Sequence, residues 1–64
     1  MKFDNAFLTK NGDVGMQFVN KKRDVLSIYP DANGNVHISE HFSHQEKQSA
    51  LTYYVANKEK YHGV

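Results

Sequence analysis

From Phe3 to Ile38 apolar and polar residues alternate, and three polar clusters interrupt the alternation. That pattern constrains the fold more than any other feature of the chain. A period of two puts successive side chains on opposite faces of a β-strand, and each polar cluster is a place for the chain to reverse. The first cluster holds Asn11-Gly12, a pair suited to a two-residue type I′ turn in which both residues need φ > 0. With that turn as the loop, Lys10 faces Asp13, Thr9 faces Val14, Phe7 faces Met16 and Asn5 faces Phe18. Cross-strand partners share a face. One face then carries Phe3, Phe7, Val14, Met16 and Phe18, and the other Ala6, Leu8, Gly15, Gln17 and Val19.

The second cluster, Asn20 to Asp24, reads as a loop centred on Lys22, setting Phe18 opposite Leu26 and Met16 opposite Ile28. The third, Pro30 to Asn35, is dense in turn residues. Beyond it Val36 and Ile38 can face Ile28 and Leu26. A one-residue slip would turn a whole strand over, so the unbroken apolar face argues for a four-stranded antiparallel meander. Its strands are expected at about 3–9, 14–20, 25–29 and 36–40. No repeat, low-complexity tract or linker is read along the way.

A helix follows, at about 44–61. Ser43 and Glu46 have the spacing of a capping box. Leu51, Tyr54, Val55 and Lys58, extended by Lys47 and Tyr61, form the stripe expected to face the sheet. Lys58, Lys60 and His62 suit the negative end of the helix dipole, and Gly63 is a natural stop. The expectation is an α+β chain forming one domain over residues 1–64, with the helix packed on one sheet face. The core is expected to comprise Phe3, Phe7, Met16, Phe18, Leu26, Ile28, Val36 and Ile38 beneath that stripe.

A chain of 64 residues lies near the lower edge of what one core can stabilise, and with no cysteine it has no disulfide or thiolate zinc site to help. Homodimerisation is the remaining route to further apolar burial. The reverse face, with Leu8, Val19, Val25 and Tyr29, is expected to serve as an interface. The missing cysteines and the lack of a leader or long apolar run point to a cytoplasmic protein with no membrane association. The chain reads as a complete small reading frame.

The function expected is non-enzymatic, since no catalytic motif or cofactor fingerprint is present. The leading reading is an accessory regulator or inhibitor acting by protein–protein contact, of the sort carried by phages and plasmids. Tyr53 lies round the helix from the expected stripe and is the candidate anchor, together with Leu8, Val19, Val25 and Tyr29. The alternative is a DNA- or RNA-binding regulator using Lys21, Lys22 and Arg23, with Lys58 and Lys60 on the same side. A net charge of +1 weighs against a protein that works mainly through phosphate contacts. The layout of sheet followed by helix is similar to small DNA-binding domains that lay a sheet in the major groove, such as the arm-binding domains of some phage integrases and plant AP2 domains. A third reading is a histidine-dependent nuclease or metal protein built on His37, Glu40, His41 and His44. Their spacing matches no metal signature.

Overall fold

The computed structural model describes residues 1–61. Strands β1 (Lys2–Leu8), β2 (Val14–Val19), β3 (Val25–Pro30) and β4 (Val36–Ile38) form one antiparallel sheet in the order β1-β2-β3-β4. Helix α1 (His44–Asn57) follows, and a 3₁₀ turn (Lys58–Tyr61) ends the described chain. The α+β meander with a C-terminal helix is therefore the fold. His62 and Gly63, expected to end the helix, lie outside the described residues.

The three hairpins share one loop design, evenly spaced by eleven residues at Thr9, Asn20 and Asp31. In each, the first residue's backbone N–H donates to the carbonyl four residues on: Thr9 to Asp13 at 2.8 Å, Asn20 to Asp24 at 3.2 Å and Asp31 to Asn35 at 2.8 Å. The same residue's side chain accepts from the N–H groups two and four residues on. Thr9 Oγ1 takes Asn11 and Asp13, Asn20 Oδ1 takes Lys22 and Asp24, and Asp31 Oδ1 takes Asn33 and Asn35. The fourth residue is left-handed in every loop, with Gly12 at φ 80°, Arg23 at φ 67° and Gly34 at φ 83°. These are three-residue loops in which the third loop residue takes φ > 0. The three loops thus repeat one hydrogen-bonding design with no repeat in the sequence, because Thr, Asn and Asp all supply the accepting oxygen.

The first loop corrects the expected register. Lys10, Asn11 and Gly12 form it, so Leu8 pairs with Val14, Phe7 with Gly15 and Ala6 with Met16. Phe7 moves to the uncovered face, and Ala6 takes its place in the core. Leu8 moves the other way, to the helix side, where it stays 47% exposed at the rim. A bulge at Asp4 then adds one residue to β1 and returns Phe3 to the core face, opposite Phe18. The second hairpin has the expected register, Met16 with Ile28 and Phe18 with Leu26. The third is slipped by two residues, pairing Ile38 with Ile28 and Val36 with Pro30. The faces are kept, but Val36 is carried to the sheet's end and exposed.

The helix starts as expected. Ser43 Oγ accepts from Glu46 N at 3.1 Å, and Glu46 Oε1 accepts from Ser43 N at 3.1 Å. Its rotation differs from the expected one. Ala50 and Tyr54 are buried, Leu51 and Tyr53 pack against the core, and Val55 is 62% exposed. Tyr53 stacks on Phe3 with centroids 5.1 Å apart and meets Phe18 edge-on at 5.6 Å. Small Ala50 lets the helix sit close to the sheet, which aims Tyr53 inward and frees Val55. The Tyr54 hydroxyl donates to the Val14 carbonyl at 2.8 Å, tying the helix's last turns to the start of β2. Met16, Phe18, Leu26 and Ile28 are the largest fully buried side chains.

Candidate functional site: the uncovered sheet face

The helix covers one face of the sheet and leaves the other open. Strand pairing arranges the open face in rows. Phe7, Gly15, Tyr29 and His37 stand side by side across all four strands. The next row holds Asn5, Gln17 and Ser27, and the next Lys2, Val19 and Val25. Beyond it lies the Lys21–Arg23 loop.

Gly15 decides the shape of the first row. The tip of the Phe7 ring fills the space that a side chain at Gly15 would occupy, so the ring leans over β2 and glycine alone fits beneath it. Tyr29 is exposed on the other side of Gly15 and stacks on His37, with centroids 5.4 Å apart and planes 20° from parallel. His37 Nε2 lies 2.9 Å from Asp31 Oδ2. That hydrogen bond, with those from the Asn35 and Asn33 amides, holds the Asp31 carboxyl below its ordinary 3.8. Phe7 and Tyr29 border a shallow, open groove of about 490 Å³, with Lys10 and Asn11 of the first loop and Asp31 and Ala32 of the third along its end.

Val19, Val25 and Tyr29 stand on the open face as expected, and Phe7 joins them. The sequence pattern places Phe7 in the core because the loop length decides its parity, and Asn11-Gly12 fits loops of two or three residues. Leu8 leaves this face for the rim, where it stays 47% exposed and borders the end of the groove, and Tyr53 packs against the core, so of these two only Leu8 remains an exposed apolar side chain.

The basic candidates separate. Lys21, Lys22 and Arg23 project at the end of the sheet where the helix begins. Asn20 Nδ2 reaches Glu46 Oε2 there at 3.4 Å. The Ser43 amide lowers the Glu46 pKa from its ordinary 4.5, with smaller help from the Ser43 and Asn20 side chains. Lys58 is at the opposite end, beside Gly12 and Gly34, its Nζ 5.9 Å from the centre of the Tyr54 ring. The expected grouping of Lys58 and Lys60 with the basic loop is corrected: α1 runs the length of the sheet between Lys58 and that loop, and Lys60 is exposed in the 3₁₀ turn. Lys2 and His41 instead join Lys21 and Lys22 around an open cleft of about 690 Å³.

The histidine cluster does not converge. His37 is held by Tyr29 and Asp31, while His41 and His44 are exposed near the helix start. Among the described residues no group of three His, Asp or Glu side chains is placed to hold a metal ion. None of the helices among them is long and apolar enough to cross a membrane.

The chain matches no protein-family model, no curated protein and no solved structure.

Proposed function

We propose that the protein is a non-enzymatic accessory regulator or inhibitor that acts by binding another protein through its uncovered sheet face. The observation that carries this reading is the row Phe7-Gly15-Tyr29-His37 with the open groove that Phe7 and Tyr29 border. The leaning Phe7 ring and the exposed Tyr29 two strands away give a shallow apolar surface bordered by polar groups. Protein interfaces favour that combination, with aromatic anchors in desolvated pockets and a polar rim. Apolar Val19 and Val25 extend the surface along the strands.

Charge favours this reading over nucleic-acid binding. The open face carries one lysine, Lys2, and Lys58 is at the far end of the helix from the basic loop. A duplex laid on this sheet would meet valine and aromatic side chains where its phosphates need cations.

The test is capture from a lysate of the source cell, with the chain and its Tyr29→Ala variant as baits. Tyr29 is 40% exposed, so the variant should keep its fold. A partner held by the parent and lost from the variant supports the reading. A partner held equally by both removes Tyr29 from the contact.

A further inference from the structure

We propose that the uncovered face receives an extended peptide segment of the partner, its large apolar side chain seated between Phe7 and Tyr29 and its acidic residues over Lys2, Lys21, Lys22 and Arg23. The proposal rests on the protein-contact reading and names the chemistry of the partner.

The first argument is charge. Lys2 stands beside Val19 on the open face, and the loop carrying the other three cations joins β2 to β3 just beyond Val19 and Val25. None of the four is ion-paired among the described residues. Asp24, the nearest carboxylate in sequence, accepts from the Asn20 side chain at 3.3 Å. Lys2, Lys21 and Lys22 also border the cleft at this end, which they share with Asp24 and Glu46, and neither of these carboxylates is ion-paired with them.

The second argument is backbone strain. At the equivalent position of three matching loops, two have glycine, Gly12 and Gly34, and the third has Arg23 at φ 67°. A left-handed conformation disfavours an L-residue with a long side chain. Glycine or asparagine would relieve it. A strained residue at an exposed turn is a sign that its side chain is kept for what it binds, and this one is an arginine, suited to bidentate carboxylate recognition.

The third argument is the neutral middle. Asn5, Gln17 and Ser27 separate the aromatic row from the valine row. A ligand charged at every unit, such as a nucleic-acid strand, would leave charges uncompensated there. A peptide can confine its acids to one end. The aromatic and valine rows are about 13 Å apart along the strands, so with the loop beyond them the acids should follow the apolar anchor by about five or six extended residues.

The test is selection on the whole chain from a displayed library of random peptides of about twelve residues. The recovered peptides are then labelled and titrated in low and high salt. An aromatic or large aliphatic residue should recur with two or more Asp or Glu about five or six positions away. Tyr29→Ala should weaken binding about tenfold at either salt. The charge-removing variant Lys2→Ser/Lys21→Ser/Lys22→Ser/Arg23→Gly should weaken it about tenfold in low salt only. All four positions are exposed, and an unchanged circular dichroism spectrum verifies the variant's fold. Peptides without the acidic residues, or indifferent to the charge-removing variant, overturn this inference and leave the contact reading standing. Recovery of no peptide overturns the inference, since the segment falls within the library's length. Binding of a labelled single-stranded oligothymidylate in place of peptides overturns both.

Discussion

The Phe7 ring takes the side-chain space of Gly15, its partner across the first hairpin. The two residues act as one unit, with the glycine making room and the ring shielding the glycine backbone. Gly15→Ala should therefore push Phe7 off the sheet at a cost of about 1–2 kcal/mol. Combined with Phe7→Ala it should cost less than the sum of the two changes, because the clash is gone. Denaturation midpoints of the two single variants and the double variant check this. Additive costs would mean that the ring and the glycine do not interact.

Arg23 sits where its two sister loops have glycine. Arg23→Gly should raise stability by about 0.5–1 kcal/mol, the relief of a left-handed arginine less the entropy that glycine adds to the unfolded chain. Gly12→Ala and Gly34→Ala should lower it by a similar amount. Chemical denaturation of the three variants gives the signs directly.

Asp31 and Glu46 are the two carboxyls whose hydrogen bonds hold them below their ordinary values among the described residues. Asp31 is lowered from 3.8 chiefly by its hydrogen bond to His37, and Glu46 from 4.5 chiefly by the Ser43 amide. A carboxyl with a lower folded than unfolded pKa adds stability above the unfolded value, and that stability is lost as pH falls through the folded value. Melting temperature should thus be flat down to about pH 5 and then decline, with the ordinary carboxyl values marking the onset. Glu46→Gln should shift the baseline down and flatten the decline. An equally steep decline in that variant would show that the capping carboxylate is not among the groups responsible.

Tyr53 shows where helix reading from sequence stops. Leu51, Tyr54 and Val55 are a plausible stripe by spacing, but the face in contact is centred on Ala50, a residue too small to dominate an apolar count. Tyr53→Ala should cost about 2–4 kcal/mol, because its ring packs against both Phe3 and Phe18. A melting temperature close to the parent's would contradict that packing.

Strand parity was legible wherever the loop length was. Asn20 to Asp24 admits one centre, and the β2–β3 register follows the expectation throughout. Asn11-Gly12 fits two loop lengths, and the choice between them moved Phe7, Ala6 and Leu8 to opposite faces. The bulge at Asp4 restored Phe3 and left no sign in the apolar pattern. The open face is therefore legible in Val19, Val25 and Tyr29, and its aromatic groove, which depends on Phe7, is not. The place of Lys58 is hidden for another reason. Sequence gives the helix's spacing but not its direction over the sheet, and the Tyr54–Val14 hydrogen bond sets which end Lys58 reaches.

The homodimer expected from the chain's size and missing cysteines is a prediction about this same open face. Phe7, Val19, Val25 and Tyr29 leave it too apolar to be indifferent to a second copy. Association that stabilises the folded state makes melting temperature depend on concentration. Melting temperature should therefore rise across a range of about a hundredfold in protein concentration, and sedimentation at the upper end should give twice the monomer mass. Val25→Lys places a charge on the face at a position already 50% exposed, so it should leave the monomer folded and remove the concentration dependence. It should also weaken capture of a partner that uses the same surface, making self-association and partner binding competitors. A parent chain that melts at one temperature across the whole range would exclude the dimer and leave the proposed partner as the face's one occupant.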